Sequence, residues 1–156
     1  MLPAKEQPAH PYMTSSPACW EGYGALLAVQ YTSPERMAFH QLIVDAYAVQ
    51  HPGGGDRRAV QSVGIHLMTL AMFLEDGVDP GLGTRLHRGM VERPVFDRLY
   101  RPVALPAERL SWRHVPLDGP AEVAKARAYE WAHAAWGEWE PQHAVVRGWL
   151  RTSRMS

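Results

Sequence analysis

The sequence predicts an all-α fold: a single-domain bundle of four or five helices with a proline-rich segment wrapped across it. Two stretches, 34–50 and 58–75, are apolar on nearly every side, which marks helices buried at the centre of a bundle rather than lying on its surface. Helix start and stop signals bracket both of them. No segment alternates apolar and polar residues with period two over more than a few positions, so strands have no support. A chain of 156 residues suits one domain and buries roughly two thirds of its unfolded surface without needing a metal or disulfide to fold.

Residues 1–18 contain four prolines and few large apolar groups, which predicts an irregular N-terminal arm, with the bundle domain over 19–152. Tyr23, Leu26, Leu27 and Gln30 repeat at i, i+3, i+4, i+7 and predict a first helix over 20–30. Ser33 then caps a second helix, with Pro34 at its first position and Glu35 in its first turn. That helix runs to Gln50 and stops before His51, Pro52 and three glycines. A third helix over 58–75 ends at Asp76 and Gly77, and a weaker one spans 82–91. Between residues 93 and 120 five prolines and scattered aromatics predict a wrapping connection. A long helix follows over 121–139, with Tyr129, Ala132, Trp136 and Trp139 on one stripe, and Pro141 starts a last helix.

Composition narrows the function classes. Sixteen basic residues balance sixteen acidic ones, leaving no global field to hold a phosphate backbone or an anionic membrane, so neither nucleic acid nor membrane is expected as a partner. A single cysteine, Cys19, allows no internal disulfide. Residues 1–18 lack the apolar core of a secretory signal, which points to the cytoplasm. Neither G-x-S-x-G nor H-E-x-x-H occurs, and the glycine run at 53–55 follows a helix without the G-K-[ST] ending of a phosphate loop.

The candidate site lies on the central pair of helices. Their few polar residues are expected to be buried, and a buried charge such as Asp45 costs several kcal/mol unless partnered. With helices two and three antiparallel about Gly55, Asp45 and His66 fall at one level, and antiparallel packing of helices one and two brings Cys19 near the same level. His40 and His51 lie about 7.5 and 9 Å along the axis from Asp45. A carboxylate level with an imidazole suits a metal site, as co-ligand or as the acceptor that orients the ring, and suits a plain structural pair equally. His51 is also read as a helix C-cap at the rim, where the dipole favours a protonated ring. His40 reads as a core histidine or proton carrier. His143, in the first turn of the last helix, is a second proton carrier or a packing residue beside Trp139. The six tryptophans line a flat-ligand pocket or, as is commoner at helical spacing, form core. His10, His87, His114 and His133 are left as surface or structural residues.

The run HQLIVDAYAVQHPGG, the following HLMTL and the later WGEWEPQHAVVRGWL resemble an uncharacterised bacterial family, a domain of unknown function. Its members carry a VDxYxxQHP segment, an HL pair and a C-terminal tryptophan, histidine, arginine and tryptophan cluster. The resemblance covers roughly residues 19–150 and implies that Asp45, Tyr47, His51, His66, His143, Arg147 and Trp149 occupy motif positions. Many members begin with C-P-x-C. Here Ser16, Pro17, Ala18 and Cys19 stand at that place, one cysteine short of a four-ligand zinc knuckle.

The leading expectation is a small metal-dependent enzyme, a hydrolase or group transferase, by fold-level analogy with histidine-bearing DinB-like bundles. Asp45, His51 and His66 would hold a divalent metal, zinc or iron, with His40 and His143 moving protons and a small molecule as substrate. The alternative is a non-catalytic ligand-binding or interaction module in which the Asp-His pair is structural. Trp149 and Leu150, near the chain end, point to a homodimer through the terminal helices or to burial under the N-terminal arm.

Overall fold

The computed structural model describes residues 16–53, 57–92 and 109–154. Seven α-helices occur among them: α1 (Pro17–Tyr31), α2 (Pro34–Met37), α3 (His40–Gln50), α4 (Arg57–Leu74), α5 (Gly83–Glu92), α6 (Ala121–Gly137) and α7 (His143–Arg154). The all-α fold is as expected, but seven helices replace the four or five. No strand occurs among the described residues. The expected arm at 1–15 and the stretch 93–108 lie outside those described. Residues 17 and 18 belong to α1 instead of the arm, because the Ser16 hydroxyl accepts the Cys19 N–H at 3.1 Å and starts the helix there.

The second expected helix is two. Ser33 caps α2, accepting the Arg36 N–H at 3.3 Å. The chain leaves helical geometry at Phe39, φ −118° and ψ 18°. Neither glycine nor proline marks the break, so packing decides it. Phe39 enters the core at 1 % exposure, and the Arg36 guanidinium donates to the Pro116 and Asp118 carbonyls. A new helix then starts at His40. At the other end of the central pair, Gly77 takes φ +69°, the left-handed conformation that glycine adopts without a Cβ clash, and the chain turns after α4.

Helix α3 is the centre of the bundle, packed between α4 and α6, while α7 and α5 lie against α4. Six of its residues, among them Leu42, Ile43 and Tyr47, are apolar and buried, which accounts for the lack of a polar face. Helix α6 presents Ala124, Ala128, Ala132 and Ala135 to the core with Trp131 between them, and such small side chains let helices approach closely. Tyr129, expected on the buried stripe, is only half-buried. The chain is tied down where it is described again: Gln50 Nε2 donates to the Leu110 carbonyl at 2.8 Å, and Arg109 makes a two-pronged ion pair with Glu138.

Trp131, Trp136, Trp139 and Trp149 are core residues, so the tryptophans do not collectively line a ligand pocket. Trp149 and Leu150 are 6 % and 5 % exposed. They pack into the bundle, which removes the uncovered terminal face that pointed to a homodimer. No helix among the described residues is long and apolar enough to cross a membrane.

Candidate functional site

Asp45 sits midway along α3, fully buried and facing α4. Its carboxylate collects three donors. Gln41, one turn earlier, donates through Nε2 to Oδ1 at 2.7 Å. His66 donates through Nδ1 to the same oxygen at 2.7 Å, and Thr69 through its hydroxyl to Oδ2 at 2.6 Å. His66 and Thr69 are three apart on α4 and therefore share a face. Because an ionised carboxylate only accepts, the His66 proton lies on Nδ1 and the lone pair on Nε2. This acceptor-oriented imidazole is the arrangement that fixes a ligating or proton-accepting ring.

The third member is His87 on α5, its ring centre 4.9 Å from that of His66. Its Nδ1 is buried without a hydrogen-bond partner. Burial, and then the neighbouring His66, hold its pKa below the ordinary histidine value, which favours the neutral ring with a free lone pair. Gly83 makes this placement available. It is buried at the start of α5, where a Cβ would overlap the Gln41 side chain, so the glycine lets α5 lie close to α3 and His87, one turn on, reach His66. One atom each of Asp45, His66 and His87 lie within 4.8 Å of one another.

His66 and His87 open onto a cavity of about 590 Å³ whose wall includes Trp20, Tyr31, Leu27 and Ile65. His40 lines it too. Its Nδ1 lies 2.7 Å from Gln30 Oε1 and donates to it, leaving Nε2 as the lone-pair nitrogen. Burial lowers its pKa against the pull of Asp45, which favours the neutral ring.

The other expected members lie elsewhere. His51 does not join Asp45 and His66. It caps α3, with Nδ1 donating to the Tyr47 carbonyl at 2.9 Å and its ring stacked 4.0 Å from that of Tyr47, which stacks in turn on Tyr23. Burial holds its pKa below the ordinary value, outweighing the carbonyl that favours the charged ring. The helix end therefore does not protonate it. His143 donates through Nε2 to the Trp136 carbonyl at 2.8 Å and stacks on that indole. It packs against Trp136 and does not line the cavity. Cys19 is not in the group either. It adjoins Trp112 and Arg113, and the Ser16 hydroxyl beside it, opposed by burial, leads the contacts that lower its thiol pKa. His87 escaped the sequence reading because only a tertiary contact, α5 against α3 and α4, gives it neighbours.

Three neutral histidines have a pH consequence. His40, His51 and His87 all have folded pKa values below the unfolded one, so the unfolded chain takes up protons first. Their stabilisation is complete above about pH 6.5 and is lost as pH falls through and below it. In urea titrations of the chelator-treated protein the midpoint is expected to drop between pH 7.5 and 5, and His51→Gln should flatten the drop. Glu75 and Glu130, held low by Arg147 and His114 respectively, titrate below this window. A midpoint independent of pH would refute the burial argument.

A family model described as a family of unknown function (DUF5946) matches residues 4–140. It takes in Asp45, His66 and His87, and of the C-terminal cluster it includes Trp139 but not His143, Arg147 or Trp149. The match begins inside the stretch read as an arm. No curated protein and no solved structure matches the chain.

Proposed function

The chain belongs to DUF5946, a family of unknown function, and we propose that it is a small cytoplasmic metal-dependent enzyme with a divalent cation, zinc or iron, held by His66 and His87, with Asp45 fixing the His66 ring. The observation that carries this reading is the buried, unpartnered Nδ1 of His87 beside an imidazole that Asp45 holds in place. A buried polar atom without a partner costs about 1–3 kcal/mol, and ligation removes that cost. His66 offers Nε2. Asp45 acts from behind, accepting the Nδ1 proton and fixing the His66 ring. Imidazole suits zinc or iron better than the oxygen-only metals.

Such an ion, when bound, would supply Lewis acidity toward water or a substrate oxygen, the chemistry of hydrolysis or group transfer. His40 supplies a nitrogen to accept a proton. Relative to the sequence expectation, His87 takes the place of His51, and Asp45 stands behind His66 instead of on the ion.

That exchange is testable. Added zinc is expected to raise the melting temperature of the chelator-treated wild type and of His51→Gln, and to leave His87→Gln unchanged. Loss of the zinc response in His51→Gln with retention in His87→Gln would refute this ligand set.

A second reading, a non-catalytic ligand-binding module with a structural Asp-His pair, draws support from Asp45 itself, whose three donors compensate the charge without any ion. Under it neither variant differs from wild type in its response to zinc.

A further inference from the structure

The wall of the cavity formed by α4 has a polarity gradient. Arg58, Gln61, Ser62, Ile65 and His66 all line it, spaced so that they form one stripe along the helix. Arg58 is exposed at the outer end of the stripe, and His66 lies at the inner end against Asp45. Eight residues of helix separate them, roughly 12 Å along the axis. Facing this stripe are Trp20, Leu27 and Tyr31 of α1.

Among the described residues Arg58 is the only Asp, Glu, Lys or Arg side chain lining the cavity, and it makes no ion pair. The Asp45 carboxylate does not line the cavity. A single guanidinium fork matches one carboxylate through two parallel hydrogen bonds, whereas a dianionic phosphate would call for more cationic partners. The volume, about 590 Å³, is that of a pocket for a small organic molecule.

We infer that the cavity takes an elongated, largely apolar monocarboxylate, its carboxylate on Arg58, its body against Trp20, Leu27 and Tyr31, and its far end at His66 and His87. This names a substrate class for the proposed enzyme and rests on that reading only for the chemistry at the far end. The carboxylate anchor itself needs no metal.

The test uses 4-phenylbutyrate and its primary amide as probes, titrated calorimetrically into the full chain, first stripped with chelator and then supplied with zinc. The stripped wild type is expected to bind the carboxylate about tenfold more tightly than the amide. Arg58→Gln should abolish the preference, and Arg57→Gln, altered at a neighbouring exposed arginine that does not line the cavity, should retain it. Binding of neither probe at millimolar concentration, equal binding of both by wild type, a preference that survives Arg58→Gln, or its equal loss in Arg57→Gln would each overturn the inference. Carboxylate preference in a protein that takes up no zinc would uphold the anchor and refute the metal reading, so the two fail separately.

Discussion

Replacing Asp45 with alanine is expected to destabilise the protein by about 1–3 kcal/mol for each buried donor it leaves without an acceptor. Gln41 Nε2, His66 Nδ1 and the Thr69 hydroxyl all converge on this carboxylate, and alanine leaves the first two without their acceptor. Thr69 loses least, because its hydroxyl also lies 3.2 Å from the Ile65 carbonyl and 3.1 Å from that of His66. Asparagine separates stability from charge. Its oxygen can accept from Gln41 and His66, while its NH2 donates to Thr69, whose proton turns to a backbone carbonyl. Asp45→Asn should therefore cost well under half as much as Asp45→Ala. It should weaken zinc binding about 10–100-fold, the usual effect of altering the acceptor behind a ligating imidazole. Denaturant titration of the two variants is the measurement. An alanine variant within ~1 kcal/mol of wild type would show that Asp45 does not hold α3 to α4.

Trp131→Ala is the second large effect. The indole is fully buried, and its N–H donates to Gln50 Oε1 at 2.9 Å. The same glutamine donates through Nε2 to the Leu110 carbonyl and, at 3.3 Å, to Glu138. Trp131 thus joins α6 to α3 and, through Gln50, to the chain at Leu110. Truncating a buried tryptophan costs about 3–5 kcal/mol through lost burial and the space left behind, and stranding Gln50 Oε1 adds about 1–3 kcal/mol. Against a typical stability of about 5–15 kcal/mol, the variant should melt far below wild type or fail to fold. Trp131→Phe, which keeps most of the ring but loses the donor, should fall between. A Trp131→Phe as damaging as Trp131→Ala would place the cost in the hydrogen bond rather than the packing.

The features legible in the sequence are those fixed by local pattern. Over 34–50 and 58–75 apolar residues fall on nearly every side, so the burial of α3 and of most of α4, and the cost of leaving Asp45 unpaired, follow from composition alone. Antiparallel packing about a turn then sets Asp45 level with His66, and the two meet at 2.7 Å. The assignment of His51 fails on angle rather than height. At 100° per residue a position six past Asp45 lies about 240° around the helix, on another side, where His51 meets its own Tyr47 carbonyl. His87 could not be placed from spacing, because its position depends on a glycine packed against Gln41 across two helices. The break at Phe39 has the same character. No local breaker marks it, and it is set by the burial of Phe39 and the reach of Arg36 to a segment eighty residues away.

Calorimetric titration of zinc into the chelator-stripped full chain tests the central claim most directly. The account predicts saturation at one ion per chain, with uptake lost in His66→Ala and in His87→Gln. Wild-type protein that takes up neither zinc nor iron, and melts at the same temperature with and without them, would contradict it and leave Asp45 and His66 as a structural pair.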